Sequence, residues 1–211
     1  LMSPLDIIEE MNRQFDDAII TTDVGQHMML VSQYAEITEK KQLVMSGGLG
    51  TMGYGFPAAI GAQIGNPEKR VIAVSGDGGM QMNIQEFATA VLEETPVIAC
   101  VFNNTYLGMV RQWQKLFYGK RYGMTNLRAG ALSRRTDGAE FPEYTPDFVK
   151  LAESYGAKGI RVTETEEIAA AFEEAKKNTK TPTLIEFIID PEEMVYPMIK
   201  PGGTLEDMIM D

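Results

Sequence analysis

Two short polar motifs, each directly after a run of apolar residues, are the part of the sequence best suited to chemistry. The motif GDGG at positions 76–79 follows the run VIAVS, and the pair Asn103-Asn104 follows the run VIACVF. Asp77 offers a carboxylate oxygen and Asn104 an amide oxygen, and such hard donors suit magnesium better than zinc or copper. The glycines leave backbone N–H groups uncovered for phosphate oxygens. Together the motifs predict a site for magnesium and a phosphate group.

The spacing of the two motifs indicates that they share one site. If the apolar runs are neighbouring strands of a parallel sheet, their carboxyl ends lie side by side, where α/β sheets bind ligands. The stretch between Asp77 and Asn104 is long enough for one helix and one strand. A backbone carbonyl near Tyr106 could complete the protein's share of the metal ligands. Either motif alone is a common turn or loop cap, so the prediction depends on the pair.

Six apolar runs predict strands, and amphipathic patterns between them predict helices. The predicted strands are Ala18–Thr22, Gln42–Met45, Val71–Ser75, Val97–Phe102, Gly159–Val162 and Thr183–Ile188. Several lack polar alternation, as strands buried on both faces do. The predicted helices are Pro4–Phe15, Gln85–Glu94, Pro146–Tyr155 and Glu166–Lys177. This alternation predicts one domain over residues 1–211, a doubly wound α/β fold with a mainly parallel sheet and helices on both faces.

Two stretches interrupt the alternation of strands and helices. Ser46–Gly65 is crowded with glycine and small residues, and Arg111–Tyr144 is long, charged and aromatic. Long segments without a regular pattern are usually functional in compact domains. We expect Arg111–Tyr144 to be an irregular loop that closes over an occupied site.

Composition excludes several classes of protein. The net charge of −11 argues against nucleic acid as a partner, because a phosphate backbone needs clustered Lys and Arg. The sequence has no run of about 18 apolar residues, so a membrane span is not expected. Cys100 is the only cysteine and lies in an apolar run, which predicts a buried core residue and no disulfide framework. The N-terminus lacks the pattern of a signal peptide, so a cytoplasmic location is expected.

Four longer motifs resemble those of a known family. The motifs are TDVGQHMM at Thr22–Met29, SGGLGTMGYGFPAAIGA at Ser46–Ala62, NNTYLGMVRQWQKLFY at Asn103–Tyr118 and YPMIKPGGTLEDMI at Tyr196–Ile209. They resemble TxVGQHQMW, SGGLGTMGFGLPAAIGA, NNxxLGMVxQWQxxFY and xPMVxPGxxxxxMI of acetohydroxyacid synthase (acetolactate synthase) large subunits, which are thiamine diphosphate-dependent enzymes. The resemblance implies an enzyme that decarboxylates pyruvate and condenses the hydroxyethyl group with a second 2-ketoacid. That reaction serves valine, leucine and isoleucine biosynthesis.

The resemblance also implies roles for individual residues. Asp77 and Asn104 would be side-chain ligands of Mg²⁺, and Tyr106 would contribute its backbone carbonyl. The residues around thiamine diphosphate would be Gln26, His27, Gly50, Met52, Gly76, Asp77, Gly78, Gly79, Asn104, Tyr106, Leu107, Gly108, Met109 and Val110. The pocket for the reacting groups would be lined by Met52, Met109, Val110 and Trp113. Two departures are Met28-Met29-Leu30, where the family has Gln-Met-Trp, and Gly79, where it commonly has Ser.

Without the flanking motifs, several of these residues have an ordinary structural interpretation. A single histidine such as His27 is more often a hydrogen-bonded structural residue than a catalyst. Met52 and Met109 would be core fillers, and Trp113 would be a packing anchor. Only the motifs around them favour a role at a site.

The family's catalytic glutamate has no matching motif in this sequence. In the family that residue comes from an N-terminal pyrimidine-binding domain of a partner subunit. We therefore interpret the chain as a C-terminal domain that has little or no activity alone. The resemblance further implies a homo-oligomer, a dimer or larger, with a possible regulatory small subunit and possible FAD in another domain. Three alternatives stay open, namely another thiamine diphosphate carboligase, a pyruvate oxidase, and a non-catalytic cofactor-binding module.

Overall fold

A six-stranded parallel sheet forms the centre of the protein. The computed structural model describes residues 1–127 and 146–210, and within them the strand order is β2-β1-β3-β4-β6-β5. The strands are β1 (Ile19–Thr22), β2 (Gln42–Met45), β3 (Val71–Gly76), β4 (Ile98–Asn103), β5 (Lys158–Val162) and β6 (Thr183–Ile188). All six strands predicted from the sequence are confirmed, and their ends shift by at most one residue. A short antiparallel pair, β7 (Met198–Ile199) and β8 (Met208–Ile209), lies outside this sheet.

Helices cover both faces of the sheet. They are α1 (Pro4–Gln14), α2 (Gln26–Tyr34), α3 (Gly55–Gly65), α4 (Asp77–Met80), α5 (Phe87–Leu92), α6 (Gly108–Phe117), α7 (Phe148–Ser154) and α8 (Ile168–Lys177). One apolar cluster joins α1, α2 and α8 to the sheet, and a second joins α3, α5 and α7 to it. The prediction of a doubly wound α/β fold is confirmed. In the part of the chain that the structure describes, no helix is long and apolar enough to cross a membrane.

The strands lack polar alternation because both of their faces are buried. In β4, Ile98, Cys100 and Phe102 belong to one apolar cluster, while Ala99 and Val101 belong to the other. Every residue of β4 is buried, so neither face of the strand can be polar without a partner. The prediction that Cys100 is a buried core residue is confirmed, and burial raises the pKa of its thiol.

All four predicted helices begin or end at residues other than those predicted, and α1 differs least, since it ends at Gln14 and not at Phe15. The prediction that α7 starts at Pro146 is wrong, because the helix begins at Phe148 and Asp147 is its N-cap, with a carboxylate that accepts from the N–H of Lys150 at 3.2 Å. The predicted cap, Thr145, lies outside the described residues. The two helices predicted at Gln85–Glu94 and Glu166–Lys177 each begin with a 3₁₀ turn, and the first ends early, at Leu92.

Residues 111–117 do not form the irregular loop that the sequence predicts. They belong to α6, and two of its charged side chains, Arg111 and Lys115, pair with Glu192 from a remote segment. That pairing explains why the charges are compatible with a packed helix. The part of the predicted loop from residue 128 to residue 144 lies outside the described residues.

Candidate functional site

A cavity of about 250 Å³ opens at the carboxyl ends of β1, β3 and β4. The winding of the sheet reverses between β1 and β3. From β1 the chain continues to β2 on one side, and from β2 it crosses over to β3 on the other side of β1. Ligands bind at such reversals in open α/β sheets, because the loops on the two sides diverge there. The sequence-predicted residues in its wall are Gln26, His27, Met52, Gly76, Asp77, Gly78, Gly79, Asn104, Tyr106, Leu107, Gly108, Met109 and Val110.

The two predicted side-chain ligands of magnesium come together at this edge of the sheet. Gly76 pairs with Phe102 in the β3–β4 register, so Asp77 and Asn104 both follow paired strand ends and line the same cavity. Asp77 is 4% exposed and Asn104 is 8% exposed. The Asn104 Oδ1 accepts the N–H of Tyr106 at 3.0 Å, which forms a tight turn after β4.

A nearby positive charge would stabilise the buried carboxylate of Asp77 in its ionised form. Burial raises the pKa of its carboxyl to about 7, although backbone N–H groups of Gly78 and Thr105 oppose that shift. Among the described residues, no cluster of three or more His, Cys, Asp and Glu side chains could hold a metal ion. The donors at the ends of β3 and β4 are the Asp77 carboxylate, the Asn104 amide and nearby backbone carbonyls. Magnesium suits such a set, because it keeps water and phosphate oxygens as its other ligands.

Glycines allow close packing of the turn that follows β3. A Cβ added to Gly78 would lie 2.6 Å from Leu107 Cδ2, and one added to Gly79 would lie 2.2 Å from Asp23 Oδ1. Both distances are too short for a real side chain, so the packing of this turn as it stands depends on glycine. Within the turn, the N–H of Gly78 donates to Asp77 Oδ1 at 3.0 Å.

His27, at the start of α2, presents a buried nitrogen without a partner. The side chain is 6% exposed, and its Nε2 has no hydrogen-bond partner within the described part of the chain. Burial lowers the pKa of the imidazole to about 4, although the Asp23 carboxylate and a hydrogen bond with the Asp23 backbone oppose that shift. A purely structural histidine would have its buried nitrogens satisfied. The orphaned Nε2 in the cavity wall therefore fits a polar ligand group.

Apolar side chains also line the cavity. Met52, Met109 and Val110 line it, as do Met28, Met29 and Leu30, which stand where the resembling family has Gln-Met-Trp. The Cε of Met52 would lie 3.7 Å from a Cβ added to Gly78, so this methionine reaches the turn that follows β3. The wall of the cavity thus combines polar and apolar side chains.

Asp23 holds the segment that carries Met52, and sequence reasoning missed it. Its carboxylate is 1% exposed and accepts the N–H of Gly53 at 2.8 and 3.0 Å and the N–H of Gly55 at 3.0 Å. A buried carboxylate needs such donors. The aspartate after a predicted strand was visible in the sequence, but its partners are some 30 residues away.

Gln112 of α6 is a second residue that sequence reasoning missed. It is 2% exposed, and its Oε1 accepts the Nε2 of Gln26 at 2.8 Å. Its amide also makes two hydrogen bonds with the backbone of Val195, in a segment that supplies Asp190, Glu193, Met194 and Val195 to the cavity wall. The signal in the sequence was a polar residue among apolar ones in GMVRQWQ, a pattern that is equally typical of the solvent-facing side of an amphipathic helix.

Two predicted site residues do not lie in the cavity wall. Gly50 is exposed in a turn with a φ of +71°, and its N–H donates to the carbonyl of Ser46 at 2.9 Å. Trp113 packs edge-to-face on Phe117 with ring centroids 5.7 Å apart. The role of Trp113 at a pocket for the second ketoacid stays a prediction.

Comparisons with known proteins agree with this arrangement. A family model described as thiamine pyrophosphate enzyme, C-terminal TPP binding domain, matches residues 23–187. An acetolactate synthase large subunit of Corynebacterium glutamicum is 42% identical over 99% of this chain and 32% of its own length. The acetolactate synthase isozyme 3 large subunit of Escherichia coli is 40% identical over 91% of this chain and 31% of its own length. The chain thus spans about a third of the length of these relatives.

A solved structure shares the fold. It is the thiamine diphosphate-dependent 4-hydroxybenzoylformate decarboxylase of Rhodococcus jostii, with a TM-score of 0.75 and 26% identity over 90% of this chain and 33% of that one. The family match begins directly after β1 and covers β3 and β4, together with the GDGG and Asn103-Asn104 motifs at the cavity. The chain belongs to the thiamine pyrophosphate enzymes, as their C-terminal TPP-binding domain.

Proposed function

We propose that the chain is the magnesium- and thiamine diphosphate-binding part of an acetolactate synthase, which decarboxylates pyruvate and condenses the remaining two-carbon unit with a second 2-ketoacid. The observation that carries the proposal is that buried oxygen donors and apolar side chains line one cavity. We propose that Asp77 and Asn104 define a polar end of it and that Met52 and Met109 define an apolar end. Relatives about 40% identical over nearly the whole chain carry the synthase name.

The polar end fits the diphosphate and its metal ion. Asp77 and Asn104 would hold Mg²⁺ with their side chains, and Tyr106 would do so with its backbone carbonyl. Phosphate oxygens would approach the backbone at Gly78 and Gly79, where the N–H of Gly78 donates to Asp77 Oδ1 at 3.0 Å. The neutral imidazole of His27 would add an uncharged polar contact, whereas Gln26, whose N–H groups donate to Gln112 and Glu193, would act through Asn104. A magnesium ion would also remove the cost of burying the Asp77 carboxylate.

The apolar end fits the part of the cofactor where 2-ketoacids react. Bound thiamine diphosphate supplies an electron sink that allows a 2-ketoacid to lose carbon dioxide and the remaining two-carbon unit to join a second ketoacid. Met52, Met109 and Val110 would exclude water there and so favour joining over protonation. Asp23 would hold Met52 in place through the N–H groups of Gly53 and Gly55.

The remaining machinery would come from elsewhere in the enzyme. We propose that an N-terminal pyrimidine-binding domain of a partner subunit completes the site within a homo-oligomer and brings the catalytic glutamate. Val110 supports this idea, because it lines the cavity although half of its surface is exposed. Exposed apolar side chains near a cavity are typical of surfaces that another chain covers. FAD in another domain and a regulatory small subunit belong to the same proposal.

Product analysis with two ketoacids tests the proposal. The full-length protein is incubated with pyruvate, 2-ketobutyrate, thiamine diphosphate and Mg²⁺, and we expect acetolactate and acetohydroxybutyrate. A parallel sample with Mg²⁺ chelated should form neither product. Consumption of pyruvate without a joined product would contradict the synthase proposal.

A second candidate is a thiamine diphosphate-dependent decarboxylase of another 2-ketoacid. The likeness to the Rhodococcus jostii decarboxylase favours this candidate, since 90% of the present chain shares the fold of that protein. Release of an aldehyde as the only organic product would support this candidate. Acetyl phosphate or acetate formed with consumption of oxygen would instead indicate an oxidase.

A further inference from the structure

We propose that Gln112 is a positioning residue that orients the amide of Asn104 through Gln26. The three side chains form a chain of hydrogen bonds that begins at the backbone of Val195, and we name these four residues the amide relay. The inference deepens the proposed function, on which it rests by taking Asn104 as a ligand of magnesium. It concerns a problem that any asparagine ligand has, which is that its amide can present either oxygen or nitrogen to a cation.

The backbone of Val195 sets the orientation of Gln112. The Nε2 of Gln112 donates to the carbonyl oxygen of Val195 at 2.8 Å, and its Oε1 accepts the N–H of Val195 at 2.9 Å. A peptide group cannot exchange its donor for its acceptor, whereas a side-chain amide can flip. A flip of Gln112 would place oxygen against oxygen and N–H against N–H. Because Gln112 is 2% exposed, water cannot compensate for that loss.

Gln112 in turn sets the orientation of Gln26. The Nε2 of Gln26 donates to the Oε1 of Gln112 at 2.8 Å and to the backbone carbonyl of Glu193 at 3.1 Å. Both partners are acceptors, so only the nitrogen of Gln26 can face them. The Oε1 of Gln26 must then point away from Gln112 and toward its remaining neighbour.

That neighbour is the amide nitrogen of Asn104. Its Nδ2 donates to the Oε1 of Gln26 at 3.4 Å, and its Oδ1 accepts the N–H of Tyr106 at 3.0 Å. The nitrogen, which would repel a cation, is thereby held at Gln26. The oxygen keeps a second lone pair, so it is the atom of Asn104 that is left for a metal ion.

Gly108 provides the space in which the relay meets Asn104. A Cβ added there would lie 2.1 Å from Gln26 Oε1 and 2.8 Å from Asn104 Nδ2. Either distance would force the two amides apart. The relay therefore depends on glycine at this position as well as on the three amides.

The same helix offers a matched control. Gln114 makes an equivalent pair of hydrogen bonds with a backbone peptide, since its Nε2 donates to the carbonyl of Gly123 at 3.0 Å and its Oε1 accepts the N–H of Gly123 at 3.3 Å. Gln114 does not line the cavity. Replacing Gln114 removes a similar pair of hydrogen bonds and leaves the amide relay unchanged.

Magnesium affinity tests the relay directly. Mg²⁺ is titrated by calorimetry into the full-length protein with saturating thiamine diphosphate, and apo-protein melting curves confirm that each variant folds. We expect Gln112→Met to weaken Mg²⁺ binding by roughly 10-fold, as is typical for residues that orient a metal ligand. Gln114→Met should stay within about twofold of the parent protein. Equal affinity of Gln112→Met and the parent would overturn the relay and leave the proposed function intact, whereas a parent without Mg²⁺ binding would overturn both.

A double substitution separates a relay from independent contacts. Gln26→Met should cause a loss like that of Gln112→Met, and the double variant should lose no more than about twofold beyond either one. Losses that multiply in the double variant would overturn the relay, because they would show separate roles. Should Gln112→Met fail to fold, Gly108→Ala provides the same test without removing a polar group. It should also weaken Mg²⁺ binding by roughly 10-fold, and unchanged affinity would overturn the proposal.

Discussion

At the scale of single residues, the metal site depends on Asp77, the most buried carboxylate in the cavity wall. We predict that Asp77→Ala abolishes magnesium-dependent binding of thiamine diphosphate, because no other described side chain there offers a charged oxygen with comparable burial. Calorimetry with and without Mg²⁺ measures the effect. Asp190→Asn is a suitable control, since Asp190 also lines the cavity but its Oδ1 accepts the N–H of Glu192 at 2.8 Å. Magnesium-dependent binding that survives Asp77→Ala would show that the assignment is wrong.

His27 gives a prediction about pH, since it is the only histidine. Its pKa is about 4 in the folded protein against 6.5 for an exposed histidine, mainly because it is buried. Between these values the unfolded chain binds a proton that the folded protein does not, so folding stability falls as the pH drops from 6.5 toward 4. We expect the parent to lose about 2 kcal/mol more than His27→Gln between pH 7 and pH 5.

Urea denaturation of both proteins without cofactor or metal measures this difference. The carboxyl groups titrate in both proteins, so their contribution cancels in the comparison. The same pH dependence in parent and variant would show that His27 is not held neutral by burial.

At the scale of secondary-structure elements, replacing glycine by alanine is expected to have opposite effects on stability at two positions. A Cβ added to Gly61 in α3 meets nothing within 4 Å, so Gly61→Ala should stabilise the protein by about 0.5–1 kcal/mol through its helix propensity. A Cβ added to Gly159 in β5 would lie 2.9 Å from the carbonyl oxygen of Val149, so Gly159→Ala should destabilise it by about 1–3 kcal/mol. Chemical denaturation of the two variants compares them, and a destabilising Gly61→Ala would contradict the open surface of α3.

A buried ion pair connects three strands and the start of α7. Glu186 of β6 is 0% exposed, and its carboxylate accepts from the Nδ2 of Asn103 and the Nε of Arg161, each at 2.7 Å. Arg161 also donates to Asp147, the N-cap of α7, at 2.7 Å. We predict that Arg161→Met destabilises the protein by about 3 kcal/mol, because it leaves a buried carboxylate without its cation.

The control for this prediction is another cationic partner of Asp147. Lys150 contacts Asp147 at 3.2 Å, but its side chain is 82% exposed, so Lys150→Met should cost less than about 1 kcal/mol. Chemical denaturation measures both variants. Equal small losses in the two variants would mean that the buried pair adds nothing to stability.

Most of the elements were predictable from the sequence, and α6 is an exception. Strands such as β3 and β4 are continuous apolar runs, and that pattern has few alternatives in an α/β protein. The helix α6 was missed because Arg111 and Lys115 look incompatible with a packed element. Their charges are met by Glu192, about 80 residues away, which no local pattern reveals.

At the scale of the whole molecule, the chain holds a cofactor site with one open side. We predict that residues 1–211 alone form little or no acetolactate from pyruvate, thiamine diphosphate and Mg²⁺, because the proposed catalytic glutamate belongs to a partner's N-terminal domain. Addition of the N-terminal part of the protein should restore product. Robust turnover by the chain alone would contradict this prediction and would require a proton acceptor within these residues.

The sequence by itself determined the strands, the doubly wound class of fold and the segment from Asp77 to Asn104. Local patterns specify these features. An apolar run, a glycine turn and a polar residue after a strand each depend on only a few residues that are close in sequence. Only the tertiary structure decided how the site is held. Gln112 meets Val195 across 83 residues, and Asp23 meets Gly53 across 30. Such contacts depend on packing between distant elements, which also leaves Gly50 and Trp113 out of the cavity wall although their motifs suggested it.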